Sequence, residues 1–154
     1  MSALRLRFTR LTEQRHRFEA IRPDGAADVR ELETRSFLLH DFVHYAVEME
    51  ANLENSFYGQ LARGGVYENP ASGAEGDKTE LVVAALQTAS RGEIDPSSFV
   101  ENLQAYWENI GGQQPDWLSP AMVAGALERL RQLQGRWRAT PFGQAMELDF
   151  PLGD

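Results

Sequence analysis

Two histidines lie close to two of the three carboxylates in one stretch of the chain, residues 36–50. His40, His44 and Glu48 are each four residues apart, and Asp41 precedes His44 by three. On a helix, residues at i and i+4 lie on one face with Cβ atoms about 6 Å apart, so two imidazoles can bind the same metal ion. We therefore predict that His40 and His44 are ligands of a divalent metal.

Two carboxylates of this stretch, Asp41 and Glu48, are candidates for the catalytic roles. Glu48 lies about 12 Å along the helix axis from the first histidine, near the limit of its reach as a third ligand. It is better placed to accept a hydrogen bond from the far nitrogen of His44, or to act as general base on a metal-bound water. Asp41 competes for both roles. The third ligand must then come from elsewhere, with Glu50 and Glu54 as unranked candidates.

The run His40-Asp41-Phe-Val-His44 is similar to two known metal-binding motifs. It resembles the His-Glu-x-x-His helix of zinc peptidases, with Asp41 in place of the glutamate that is their general base. It is closer to the His-Asp-x-x-His helix of the zinc-binding ubiquinone-biosynthesis proteins. That pattern also has a glutamate about a dozen residues after the second histidine, where this chain has Ser56, with Glu54 the nearest acid. The resemblance implies zinc; it covers five residues and implies neither fold nor substrate.

The same cluster also has a purely structural interpretation. Histidines four apart on a helix surface can pair with nearby acids for only a few tenths of a kcal/mol per pair. Against this, Phe37, Val47 and Ala51 flank the polar groups on the predicted helix, which is more typical of a pocket wall than of a solvated face.

Two functions follow from these interpretations. The first is a metal-dependent enzyme with hydrolase- or lyase-type chemistry on a small molecule, with zinc or a similar ion as cofactor. The alternative is a non-catalytic acidic interaction or assembly domain in which the histidine–carboxylate cluster is structural. Strand edges or aromatic helices would then pair with another chain, and a homo-oligomer is one such assembly.

Composition narrows the remaining possibilities. With 154 residues and 42% hydrophobic content, we predict a single globular domain over residues 1–154. The absence of Cys excludes disulfides and thiolate ligands, leaving His, Asp and Glu for any metal. A net charge of −8 argues against nucleic acid as a partner. The N-terminus shows no apolar signal core and no run is long enough to span a bilayer, so we expect a cytoplasmic protein without membrane contact.

Hydrophobic periodicity predicts an α+β fold. Period-2 alternation over residues 4–9 and 15–22 indicates a hairpin of two strands, followed by a turn at Pro23-Asp24-Gly25. Residues 26–35 carry too little pattern to assign. The segments 136–139 and 145–150 alternate again, which predicts one or two C-terminal strands. We expect these strands to form one small antiparallel sheet with four to five helices packed on it.

The helices are predicted from their apolar faces and end signals. A central helix covers about residues 37–53, and a short helix covers 57–62. Asp77 with Glu80 has the spacing of a capping box, and Asp95-Pro96 and Ser119-Pro120 each combine an N-cap with proline at the first helical position. Gly135 is the expected end of the last helix. The glycine-rich segment 64–77 is the longest predicted loop, and a lid over the site is one role for it.

Overall fold

In the described part of the chain, four strands form one antiparallel sheet, and three of them alternate buried and more exposed side chains. The structure, a computed structural model, describes residues 2–68 and 73–153. The strands are β1 (Ala3–Arg10), β2 (Arg15–Ile21), β3 (Ala27–Glu33) and β4 (Ala145–Pro151), and they lie in the order β3-β2-β1-β4. Both chain ends thus contribute to the sheet, and the N-terminal half supplies three consecutive strands. The predicted α+β fold with an antiparallel sheet is confirmed.

The alternation of β1 separates the sheet into a buried and a solvated face. Leu4, Leu6 and Phe8 are fully buried under the helices. The arginines between them lie on the other face, where they pair with acids of β4 across the strand boundary. Because these ion pairs are largely exposed, they contribute little to stability. The helices thus bury one face of the sheet, and the other face is solvated.

Between β3 and β4 the described residues form five helices. They are α1 (Thr34–Glu50), α2 (Phe57–Ala62), α3 (Ala74–Ala89), α4 (Pro96–Asn109) and α5 (Pro120–Ala139). Asp95 and Ser119 are N-caps whose side chains accept hydrogen bonds from the backbone N–H groups of Ser98 and Met122, as their local sequence predicts. Among the described helices, none is both long and apolar enough to cross a membrane.

Several local predictions at element ends were wrong. Helix α5 continues through Gly135 to Ala139, so residues 136–139 are helical and not a strand. Trp137 explains the extension, because it is buried against Phe42 and His16 only if the helix reaches it. Helix α3 begins at Ala74, so Asp77 lies in its first turn and is not a cap. The unassigned segment after residue 26 forms β3.

The predicted loop over residues 64–77 is shorter than its composition indicates. Its last four residues belong to α3, and Gly64 ends the preceding helix with a φ of +95°, where glycine is unstrained. Residues 69–72, at the centre of the predicted lid, lie outside the described residues. The lid therefore stays a prediction.

Helix α1 lies at the centre of the protein. It packs against α3, α5 and the sheet, and Phe42 meets Phe8 of β1 edge-on with ring centroids 5.3 Å apart. The side chains of Asp41, His44 and Glu48 are all at most 2% exposed. The polar arc of α1 is therefore as deeply buried as its apolar seam, and its charges must find partners inside the protein.

Helices also cover the outward edge of β4. The Tyr45 hydroxyl donates a 2.8 Å hydrogen bond to the carbonyl of Asp149, and the Arg136 guanidinium donates one of 2.9 Å to the carbonyl of Glu147. These carbonyls point away from β1, which is the strand paired with β4 among the described residues. Side chains of α1 and α5 thus replace a further strand at this edge.

Candidate metal centre

His44 is buried between two carboxylates, that of Glu48 on α1, which is buried, and that of Glu80 on α3, which is about half exposed. Its Nδ1 lies 2.7 Å from Oε2 of Glu48, one helical turn later, and its Nε2 lies 2.7 Å from Oε1 of Glu80 on α3. The second oxygen of Glu48 accepts a hydrogen bond from the backbone N–H of Tyr58, at 3.0 Å. The ring of Phe57 covers His44 at a centroid distance of 4.8 Å. The imidazole is therefore fixed on both nitrogens and on one face.

His40 has a similar but looser arrangement one turn earlier. Its Nδ1 lies 3.4 Å from Oδ1 of Asp41, and its Nε2 lies 3.5 Å from Oε1 of Glu80. Asp41 is held in turn by the hydroxyl of Tyr67, which donates to its carboxylate at 2.8 Å. The side chain of His40 is about one-third exposed, so this imidazole is the accessible member of the pair.

The helix packing explains how Glu80 reaches the two histidines. Helix α3 buries Val82, Val83 and Leu86 completely, and Glu80 lies at the border of that buried face with about half of its side chain exposed. Next to it, the Thr79 hydroxyl hydrogen-bonds that of Ser56 at 2.8 Å, which ties α3 to the start of α2. Glu80 is thus directed at α1 by the contact between α1 and α3.

The two imidazoles have the same orientation relative to their acidic neighbours. Each has Nδ1 against a carboxylate of α1 and Nε2 against the carboxylate of Glu80. The ligand atoms of His40, His44 and Glu80 all lie within 4.8 Å of one another. Histidines that bind metals commonly have one nitrogen on the metal and the other bonded to a carboxylate, which fixes the tautomer and the ring orientation. The cluster therefore has the donor set and the supporting contacts of a His₂Glu metal site.

The pKa values show how strongly these groups interact. Burial lowers the pKa of His44, but its hydrogen bonds to Glu48 and Glu80 outweigh burial and raise that pKa from 6.5 to about 9. Contacts with His40 and His44 hold the pKa of Glu80 well below its usual range. Burial raises the pKa of both Asp41 and Glu48 against the opposing effect of their hydrogen bonds. Without a metal, His44 at neutral pH is an imidazolium between two carboxylates.

No protein-family model, curated protein or solved structure matches this chain. The interpretation of the site therefore depends on its own geometry.

The structure brings together all four site residues that the sequence predicts. His40 and His44 converge, while Asp41 and Glu48 are buried beside them with their carboxylates fully engaged in hydrogen bonds. These contacts are those of residues that orient the imidazoles, and a direct catalytic role for either acid stays a prediction.

Sequence reasoning missed the third member of the cluster, Glu80. The two acids considered instead lie elsewhere: Glu50 pairs with Arg129 of α5, and a carboxylate oxygen of Glu54 lies close to Gly153. The sequence holds one weak signal for Glu80, its position early in the next long helix. Its spacing from Asp77, three residues, predicts a capping box instead of a ligand. Only the packing of α3 on α1 distinguishes it from the other acids of an acidic chain.

Proposed function

We propose that the chain binds one divalent cation, of the zinc type, through His40, His44 and Glu80, and that this cation supports hydrolase- or lyase-type chemistry on a small molecule. The observation that carries the proposal is the convergence of both Nε2 atoms on the Glu80 carboxylate. Ligand atoms at about 2.0–2.1 Å from a tetrahedral zinc lie roughly 3.4 Å apart. The ligand atoms of His44 and Glu80 are 2.7 Å apart and no pair in the cluster is more than 4.8 Å apart, so shifts of roughly 1 Å would bring all three to the tetrahedral spacing.

Charge balance favours a cation at this position. Three carboxylates, those of Asp41, Glu48 and Glu80, surround two imidazoles, and two of the three are buried. When a metal takes the place of the Nε2 proton of His44, it supplies the positive charge that the imidazolium provides without it. Three protein ligands leave one coordination position for water or substrate, which is the pattern of catalytic rather than structural zinc sites.

Each residue then has a distinct role. His40, His44 and Glu80 hold the metal, which would polarise a substrate oxygen or lower the pKa of bound water. Glu48 accepts the Nδ1 proton of His44 and is itself held by the backbone of Tyr58, so it keeps Nε2 directed at the metal. Asp41 does the same for His40, held by Tyr67.

Metal analysis of the full chain, purified without an affinity tag, tests the proposal. We expect one zinc or cobalt ion per chain, bound in a chelator-reversible way, and loss of binding in His44→Ala. Glu80→Gln should weaken binding by roughly ten- to a hundredfold or more, because an amide replaces the charged ligand. Asp77→Asn is the matched control, since this exposed acid lies one turn earlier on α3 outside the cluster. Substoichiometric metal, or equal affinity in Glu80→Gln and Asp77→Asn, would remove the proposal.

One observation favours the alternative function, an acidic interaction domain whose cluster is structural. The His44 ring already donates hydrogen bonds of 2.7 Å to both Glu48 and Glu80, which ties α1 to α3 without any metal. In that case the chain contains no stoichiometric metal, chelator leaves its unfolding temperature unchanged, and Glu80→Gln lowers that temperature all the same. The same samples therefore separate the two functions.

A further inference from the structure

A cleft of about 470 Å³ adjoins the candidate metal centre on the side of His40. Its volume is within the range of small-molecule sites, roughly 300–1,000 Å³. His40 is the only member of the cluster that lines it, and it is also the more exposed of the two histidines. A molecule in the cleft would therefore approach the metal past the His40 ring.

Aromatic rings form a continuous wall of this cleft. Phe37 lies at its outer end with 39% of its surface exposed, and its ring centroid is 6.4 Å from that of Tyr67. Tyr67 is 5.5 Å from Phe57, and Phe57 is 6.5 Å from His40. Each of these pairs meets edge-on. The wall thus runs from solvent to the predicted metal ligand and presents ring edges and faces suited to a planar aromatic group.

The charges along the cleft disfavour an anionic ligand. Among the described residues that line it there is no Lys or Arg, and the one charged residue, Glu68, is an acid paired with Arg30. Beyond His40 lie the carboxylates of Glu80 and Asp41. A negative charge on a substrate would therefore find no basic side chain among the described lining residues to pair with it, and would lie near these carboxylates.

We propose that this cleft is the substrate site of the metal centre and that it takes an uncharged molecule with a planar aromatic ring and an oxygen donor for the metal. The inference rests on the proposed function, because it assigns the substrate class of that same site. The ring would lie against Phe37, Phe57 and Tyr67, and the oxygen donor would take the open coordination position beside His40.

Hydroxamic acids of different size and charge test the inference on the cobalt-loaded full chain. Acetohydroxamic and benzohydroxamic acid share the metal-binding group, and only the second carries a ring; 4-carboxybenzohydroxamic acid adds a negative charge to that ring. Affinities are measured by titration of the cobalt absorption bands. We expect benzohydroxamic acid to bind about tenfold more tightly than acetohydroxamic acid, which is about 1.4 kcal/mol. The carboxylated compound should bind more weakly than its uncharged parent.

Variants of the aromatic wall test whether these rings cause the preference for benzohydroxamic over acetohydroxamic acid. Phe37→Ala should reduce the ratio of the two affinities by roughly threefold or more, with cobalt affinity unchanged, because Phe37 is partly exposed and is not one of the three proposed ligands. Phe57→Leu is the second variant of the wall in which this ratio is measured. It removes a ring at a more buried position and keeps an apolar side chain there. Phe142→Ala is the matched control: this exposed phenylalanine is in the α5–β4 turn outside the cleft and should leave the ratio as it is.

The possible failures of the two proposals differ in their readouts. Cobalt binding with an affinity ratio near one, or with the same ratio in Phe37→Ala and the unaltered chain, overturns the aromatic site and leaves the metal centre standing. So does tighter binding of the carboxylated compound, or failure of all three hydroxamic acids to perturb the cobalt spectrum. Absence of cobalt binding overturns both proposals.

Discussion

His44 and His16 are both fully buried, yet the protein shifts their pKa values in opposite directions. His44 lies between Glu48 and Glu80, and its pKa rises to about 9. His16 on β2 lies among aromatic rings, with Trp137 at a centroid distance of 5.9 Å. Burial, and to a smaller extent the charge of Arg15, lower its pKa to about 4.

The difference shows what a buried histidine needs in order to carry charge. Burial alone favours the neutral ring, and His16 has one side-chain partner, the Thr34 hydroxyl at 3.0 Å from Nδ1. His44 has a carboxylate at each nitrogen, and these outweigh the same burial. The core around His16 is therefore a place where a histidine is neutral, whereas the cluster on α1 is built around a positive charge.

The largest effect is expected when the buried anion beside His44 is removed. Glu48→Ala leaves an imidazolium and the N–H of Tyr58 without their buried acceptor, so the free energy of unfolding should fall by about 3–5 kcal/mol. Urea denaturation at pH 7 in the presence of chelator measures it. Glu80→Gln should cost clearly less, because the side chain of Glu80 is about half exposed and solvent screens its charge. Equal losses in the two variants would contradict the contrast between buried and screened partners.

The second prediction concerns acid stability and His16. Because its pKa is about 4 in the folded chain and near 6.5 when unfolded, the unfolded chain binds more protons between these values. Stability is therefore lost as the pH falls from 6.5 to 4, and His16 accounts for about 3 kcal/mol of that loss.

The variant His16→Gln isolates this contribution. Its free energy of unfolding should decrease less steeply than that of the unaltered chain over the same pH range, as measured by urea denaturation at several pH values. If the free energy of unfolding varied with pH in the same way in both proteins, His16 would not be held neutral by its surroundings.

A third, smaller effect is expected on the His44 ring itself. In Glu80→Gln without metal, the pKa of His44 should fall by about one unit, because one of its two carboxylate partners becomes neutral. The imidazole resonances in an NMR titration report it. His16 serves as the internal reference and Asp77→Asn as the control variant, and neither should change. A His44 pKa that stays in place would mean that Glu48 alone holds the charge.

The smallest effect is expected at the single hydrogen bond of His16. Thr34→Val removes the hydroxyl and should lower the free energy of unfolding by about 1 kcal/mol. Thermal or urea unfolding measures the loss, and the pKa of His44 and the metal content should not change. A loss as large as that of Glu48→Ala would show that the neutral partner of His16 stabilises the protein as much as the charged partner of His44.

The parts of the fold that the sequence predicted are those with local causes. Strand β1 was recognised from alternation, and α4 and α5 from an N-cap followed by proline. The stretch that contains His40 and His44 was identified because helical spacing alone places the two on one face. In each case the signal lies within a few residues of the element that it predicts.

The missed features depend on tertiary contacts. Gly135 lowers helix propensity locally, but burial of Trp137 two residues later outweighs it and α5 continues. Strand β3 shows little alternation because most of its side chains are exposed, and its pairing with β2 defines it. Glu80 could not be chosen from the sequence, since it reaches the histidines only through the packing of α3 on α1.

The hydrogen bonds from Tyr45 and Arg136 to β4 occupy the edge of the sheet at which a further strand would otherwise pair. A strand from a second copy of the chain, or from any partner, would have to displace both side chains before it found free carbonyls at Asp149 and Glu147. Tyr45 also belongs to the helix that carries the metal candidates. Pairing of a further strand at that edge would therefore remove a hydrogen bond that ties β4 to α1.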